Sequence, residues 1–187
     1  MTARIVILAS GSGTLAQAIM DSTELDIEIV TVISDNHDAH VLKRAHDAGI
    51  ATQIISIGTS RDQWNTEIIE AVAQLDIDLV VSAGFMRILP ADFVNRFPTI
   101  NSHPALLPQF PGAHAVRDAL AAGVSVTGTT VHWVDDGVDT GPIITQMEVP
   151  VVPGDDEVTL HERIKKVERG LIVATIALIL PSLERNV

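Results

Sequence analysis

Asn101, Ser102, His103 and Pro104 stand together in the stretch 97–112, where an apolar approach gives way to polar side chains and then to a proline-rich run. In an extended strand successive side chains alternate between faces, so Asn101 and His103 point the same way and Ser102 the other. An amide donor and a titratable imidazole on one face suit a carbonyl oxygen that becomes negative during reaction. The plain alternative is a strand edge with a solvated histidine, and this segment taken alone leaves both open. A Ser-His-Asp hydrolase is disfavoured, because Ser102 faces away from its neighbour and no Gly-x-Ser-x-Gly elbow is present.

A second chemical stretch comes early. Gly11, Ser12, Gly13 and Thr14 lie between an apolar run and the helical pattern at 15–20. A glycine-rich turn at a helix N-terminus offers free backbone N–H groups and the positive end of the helix dipole to an anion. A tight strand-to-helix turn with nothing bound is the alternative. The residues from Gly11 to Ala16 also fit a dinucleotide fingerprint, with Asp35 about where a ribose-binding acid belongs. Hydride transfer, however, leaves Asn101 and His103 without a task. His37 and His40 are spaced to share a metal with Asp35 or Asp38, but they read better as solvated residues entering a helix.

The elements that must position these residues alternate regularly. Residues 4–10, 27–33, 51–57 and 78–83 read as strands whose continuous apolar runs suit a parallel sheet covered on both faces. Helical patterns fall at 15–20, 39–48 and 61–75, with Gly49 closing the second. The second half reads as a helix over 113–122, strands over 124–134 and 143–152, and a helix that opens on the acids at 155–157 and runs to about 180. Pro150 marks an edge or an end of its strand, and Asp155, Asp156 and Glu157 suit a first helical turn. The pattern predicts an α/β fold: a doubly wound, mostly parallel sheet with helices on both faces and ligands beyond the carboxyl ends of the strands. The segments at 11–14, 84–90 and 101–104 all fall at such ends.

Composition narrows the partners. A length of 187 residues supports a single domain over 1–187, without repeat, linker or low-complexity segment. The chain has no cysteine, which excludes disulfides and thiolate metal sites and suits a reducing cytosol. The start lacks the features of a signal peptide, and the apolar run at 171–180 is too short to span a bilayer, so a soluble cytoplasmic protein is expected. A formal net charge of −12 argues against nucleic acid and acidic membranes, so an anionic ligand must be held locally. A homodimer is compatible with this reading.

Six stretches carry a resemblance that covers nearly the whole chain in order: 10–14, 83–89, 101–108, 111–114, 128–132 and 139–142. Together, and above all in the Asn-x-His-Pro-x-Leu-Leu-Pro block followed by Asp-x-Gly-Pro, they resemble the folate-dependent formyltransferases. The additional domains carried by the members that formylate initiator tRNA or hydrolyse formyl-folate do not fit this length. The first loop departs from the family's Gly-Ser-Asn, reading Gly13, Thr14, Leu15 here. A hydroxyl is kept and an amide lost, while the backbone part of an anion site remains.

The resemblance implies transfer of a formyl group from 10-formyltetrahydrofolate to the amine of glycinamide ribonucleotide, through a tetrahedral intermediate and without a metal. It assigns Asn101 and His103 as donors to the developing oxyanion, with Asp139 orienting His103 and relaying a proton from the amine. It assigns Gly11, Ser12, Gly13, Thr14, Leu15 and Glu168 to the ribonucleotide. Met86, Arg87, Ile88 and Leu89, with Asp135, Asp136, Gly137 and Val138, are assigned to the pterin pocket and Arg61 to the acidic end of the folate. His114 and His132 match residues near the catalytic group. The implied plan has the N-terminal half holding the ribonucleotide and the C-terminal half the folate. The rivals are a hydrolase releasing formate from the same folate, a nicotinamide-dependent oxidoreductase, and a silent folate or nucleotide sensor.

Overall fold

The first strand shows why the core has two sides. Ile5 and Ile7 of β1 (Ala3–Leu8) pack into one cluster while Val6 and Leu8 pack into another, as the two-residue period of a doubly covered strand requires. In this computed structural model, which describes residues 2–183, β1 is an interior strand, the third of a seven-stranded sheet. The chain continues as α1 (Thr14–Met20), β2 (Ile27–Ser34), α2 (His40–Asp47), β3 (Thr52–Ile54), α3 (Arg61–Ala73) and β4 (Leu79–Ser82). It ends with α4 (Ala91–Arg96), β5 (Thr99–His103), α5 (Ala115–Ala121), β6 (Val126–Trp133), β7 (Ile143–Pro150) and α6 (Glu157–Leu183).

The strand order is β3-β2-β1-β4-β5-β6-β7. β1 to β5 pair in parallel, and β5–β6 and β6–β7 are antiparallel. One face is covered by α1, α2 and α6, through Ala16, Ile19, Val41, Ile172 and Ile176. The other is covered by α3 and α4, through Trp64, Ile68, Val72 and Phe93. The expected doubly wound, mostly parallel sheet is therefore present. Strand order reverses between β1 and β4, which is where such sheets open a crevice for ligands.

Some boundaries differ from expectation. β3 covers only Thr52–Ile54 rather than 51–57, because it is an edge strand with β2 as its neighbour, and the ladder ends where Ile55 N–H bonds the Ser34 carbonyl. The short helix α4 was not anticipated; it buries Phe93, with Phe97 just beyond it packed edge-on against that ring. β7 is the other edge, and Pro150 ends it. Among the described residues, no helix is long and apolar enough to cross a membrane.

Candidate active site

β5 carries the two expected donors into the crevice. The registers set Asn101 beside Ser82 of β4 on one side and His132 of β6 on the other. Ser82 Oγ donates to Asn101 Oδ1 at 2.8 Å, and Asn101 Nδ2 lies 3.3 Å from His132 Nε2. His132 Nδ1 donates to the Trp133 carbonyl at 2.8 Å, which leaves Nε2 of the neutral ring as an acceptor for the amide. The Asn101 amide is thus held at both ends, with one N–H to spare.

His103, two residues on, is buried with both ring nitrogens beside acceptors. Nε2 is 2.8 Å from the Phe110 carbonyl, and Nδ1 is 3.3 Å from Asp139 Oδ2. Only the doubly protonated ring donates to both. Asp139 Oδ2 also accepts from the Gly112 amide at 2.8 Å, and Oδ1 lies 3.5 Å from His132 Nε2. Burial pushes the Asp139 carboxyl up, but the hydrogen bond from the Gly112 amide and the charge of His103 act against it, and the group is held below the usual carboxylate range.

Asp139 reaches His103 through a tight loop between β6 and β7. Asp135 Oδ1 accepts from Gly137 N–H at 3.1 Å and Thr140 Oγ1 at 2.7 Å, closing an Asx turn. At Gly141 a Cβ would fall 1.8 Å from the Trp133 carbonyl, so glycine alone lets the loop close on β6. Phe110 and Asp139 have φ of 54° and 55°, the non-glycine residues at positive φ among those described. Both touch His103, one through its carbonyl and one through its carboxylate. Backbone strain of about 1–2 kcal/mol per residue is thereby concentrated on one imidazole.

These groups open onto a cavity of about 450 Å³. One part of its wall is the glycine loop, residues 11–15, faced by His114 and, from α6, by Lys165 and Glu168. Gly13 caps α1 at φ 70°, and Arg44 Nε secures the loop by donating to the Ser12 carbonyl at 2.8 Å. Glu168 is buried and accepts from Ser102 Oγ at 2.9 Å; burial raises its pKa. Ser102 thus serves the opposite side of β5 from His103. Another part of the wall is the loop after β4, with Met86, Arg87, Ile88 and Leu89, joined by Asp135, Gly137 and Val138. Met86, Ile88 and Val138 are 72%, 59% and 47% exposed, an apolar surface open to a flat ligand.

Two of the residues assigned by resemblance are not among the described residues that line the cavity: Arg61 and Asp136. The Arg61 guanidinium lies 4.7 Å over the Trp64 ring, donates to Asn65 and donates to the Ile88 carbonyl, so it meets the wall from behind. Glu168 comes from α6 and residues 86–89 follow β4. Asp35 is not among the described residues that line the cavity; it is buried against Arg87, with Oδ2 accepting from Nε at 2.6 Å. His37 pairs with Asp38 at 3.3 Å, and no group of three or more His, Asp or Glu among the described residues is arranged to hold a metal. Ser82, Phe110, Gly112 and Arg44 were missed by sequence reasoning. The first depends on strand order, the next two act through backbone atoms, and Arg44 looks like any basic residue in the last turn of a helix.

The same fold recurs in solved structures of glycinamide ribonucleotide transformylases. At 50% identity over 180 residues, covering 94% of this chain and 84% of the relative, the chain is similar to the phosphoribosylglycinamide formyltransferase of Mycobacterium tuberculosis strain H37Rv. It superposes on glycinamide ribonucleotide transformylase 1 from Geobacillus kaustophilus with a TM-score of 0.91 and 37% identity, covering 96% of this chain and 100% of that one. For the enzyme of the same name from Symbiobacterium toebii the TM-score is 0.90 and the identity 41%, with 94% and 86% covered. Residues 3–176 match the formyl transferase family, and with the fold and the Asn101-His103-Asp139 arrangement already in hand, that match identifies the chain as a member of it.

Proposed function

We propose that this chain is an enzyme that transfers a formyl group from 10-formyltetrahydrofolate to the amine of N1-(5-phospho-D-ribosyl)glycinamide, a step of de novo purine biosynthesis. The observation that carries this reading is the convergence of an amide N–H, an imidazole and an ionised carboxylate on one cavity wall. The folate co-substrate supplies the formyl group. The flat face of its pterin ring fits the exposed apolar side chains of Met86, Ile88 and Val138, and Leu89, Asp135 and Gly137 stand beside them in the lining.

Acyl transfer places negative charge on the formyl oxygen, and the spare N–H of Asn101 is the fixed donor for it, with the His103 imidazolium supplying the opposing charge. A group of this kind contributes roughly 3–4 kcal/mol. Asp139, held ionised, faces His103 Nδ1, orients the ring and accepts the proton leaving the attacking amine, directly or through water. The ribonucleotide phosphate is read into the backbone N–H groups at 11–15, with Lys165 as the nearby cation that a chain of net charge −12 needs. Glu168 is read against the ribose and His114 along the wall between them. The chain is read as one domain, with small anionic substrates as its partners in the cytoplasm and no nucleic acid.

The test mixes protein and 10-formyltetrahydrofolate with and without the ribonucleotide amine and follows folate absorbance. Amine-dependent turnover with a formylated product is expected. Formate release without the amine would make the chain a hydrolase, and binding without turnover a sensor.

A further inference from the structure

The loop after β4 lacks the usual means of staying in place. Phe85 stacks on Trp64 at 6.2 Å and Leu89 is buried, but between them Met86 and Ile88 turn their apolar side chains to the cavity and bury little. The middle of the loop is instead held by polar contacts. Met86 N–H donates to Ser10 Oγ at 2.8 Å, Ile88 O accepts from Arg61, and Arg87 pairs with Asp35. The last of these spans the greatest distance across the sheet. Asp35 follows β2 and Arg87 follows β4, the two strands that flank β1 in parallel, so their ion pair crosses the carboxyl end of β1. Two strand spacings, about 10 Å, separate its roots.

That pair is poorly built for stability. Asp35 has 3% of its side chain exposed, against 38% for Arg87, and its Oδ1 is buried with no hydrogen-bond partner. A buried carboxylate with one oxygen unsatisfied loses to desolvation much of what the ion pair returns. It nevertheless fixes geometry, because a rigid guanidinium held at Nε by a buried acid has few orientations left.

We propose that Asp35 is a positioning residue for the folate co-substrate: through Arg87 it fixes the 86–88 segment as the wall on which the folate docks. This rests on the formyl transfer proposed above. Asp35 touches no substrate, and its effect passes through Arg87, so the two residues act as one unit.

The experiment measures Michaelis constants for both substrates in the parent, Asp35→Asn, Arg87→Ala and the double variant. Asp35→Asn should raise the folate constant about tenfold, with kcat and the ribonucleotide constant within about twofold of the parent. Arg87→Ala should do the same, and the double variant should be no worse than either single one. Asp35→Glu, which keeps the charge, should recover part of the loss. An unchanged folate constant in Asp35→Asn, multiplying effects in the double variant, or equal losses for both substrates would overturn the proposal. Should Asp35→Asn fail to fold, Arg87→Lys decides in its place: it keeps a cation on Asp35 but loses the planar fork, and a folate constant equal to the parent's would overturn the proposal. A parent without amine-dependent turnover would sink the proposed reaction instead, so the two failures are distinguishable.

Discussion

His103 Nδ1 and Asp139 Oδ2 lie 3.3 Å apart, and the acid is brought there on a residue with φ 55°. The opposite nitrogen of the same ring faces the carbonyl of Phe110, at φ 54°. An aspartate tolerates the left-handed region better than most residues, whereas a phenylalanine does not. The strain at Phe110 serves to turn a carbonyl toward the imidazole. With an acceptor on each side, the ring is set up to carry positive charge where the formyl oxygen becomes negative.

Asp139→Asn is the cleanest probe of this arrangement. Asparagine adopts the left-handed backbone readily and still offers an oxygen to the Gly112 amide, so the fold should be retained. What is lost is the charge that supports the imidazolium and accepts the amine proton. We expect kcat to fall on the order of 10²–10⁴-fold with both Michaelis constants changed little. Near-parent turnover would remove Asp139 from the proton path.

The parallel half of the sheet was legible because its strands are buried on both faces: Leu79, Val80 and Val81 leave no polar face to confuse the pattern. The spacing of Asn101 and His103 was equally direct, since a period of two fixes their faces whatever the neighbours are. The supports were not legible. Ser82 beside Asn101 and Asp35 under Arg87 depend on strand order, which no periodicity encodes. The helix α4 escaped because its six residues, Ala91–Arg96, are too few to show a 3.6-residue pattern. Arg61 was assigned to the acidic end of the folate by resemblance. The structure supplies local reasons for it in the Trp64 ring and the Ile88 carbonyl.

The glycine loop separates binding from packing. A Cβ at Gly13 would stand 2.5 Å from the Val41 side chain and 2.8 Å from its Cα, on a backbone at φ 70°. Gly13→Ala should therefore destabilise the whole domain. At Gly11 nothing lies within 4 Å of an added Cβ. Gly11→Val should melt within roughly 2 °C of the parent while raising the ribonucleotide Michaelis constant about tenfold and sparing that for folate. An unaltered ribonucleotide constant in the folded Gly11→Val protein would argue against phosphate at this loop.

Glu168 predicts a trade between stability and binding. Burial raises its pKa above the unfolded value, so its contribution to stability is fully present below the unfolded pKa and is lost as pH rises through the folded one. Once ionised, the buried acid is a burden. Glu168→Gln keeps an oxygen for Ser102 Oγ and removes that charge, so the variant should melt higher than the parent at pH 7 and lose the advantage in acid. A gain of about 1 kcal/mol corresponds to roughly 2–4 °C for a chain of this size. The ribonucleotide Michaelis constant should rise together with the melting temperature. A variant less stable at pH 7, or one that binds the ribonucleotide as the parent does, would contradict this account.

Salt distinguishes the two roles open to Arg61. A direct pair with the carboxylates of the folate tail would be a surface ion pair, weakened by added salt as charges are screened over about 8–10 Å. In the structure the guanidinium instead lies over Trp64 and donates to the carbonyl of Ile88, contacts in which the partner carries no net charge. Arg61→Ala should then loosen the 86–88 wall and raise the folate Michaelis constant about fivefold, close to 1 kcal/mol, a usual value for one lost hydrogen bond. The ratio of variant to parent should stay nearly constant between low and high salt. Arg61→Lys should behave like the alanine variant, because an ammonium cannot stack on the ring and reach the carbonyl as a planar fork does. A ratio that collapses toward one at high salt, with the lysine variant close to the parent, would put Arg61 on the folate tail itself.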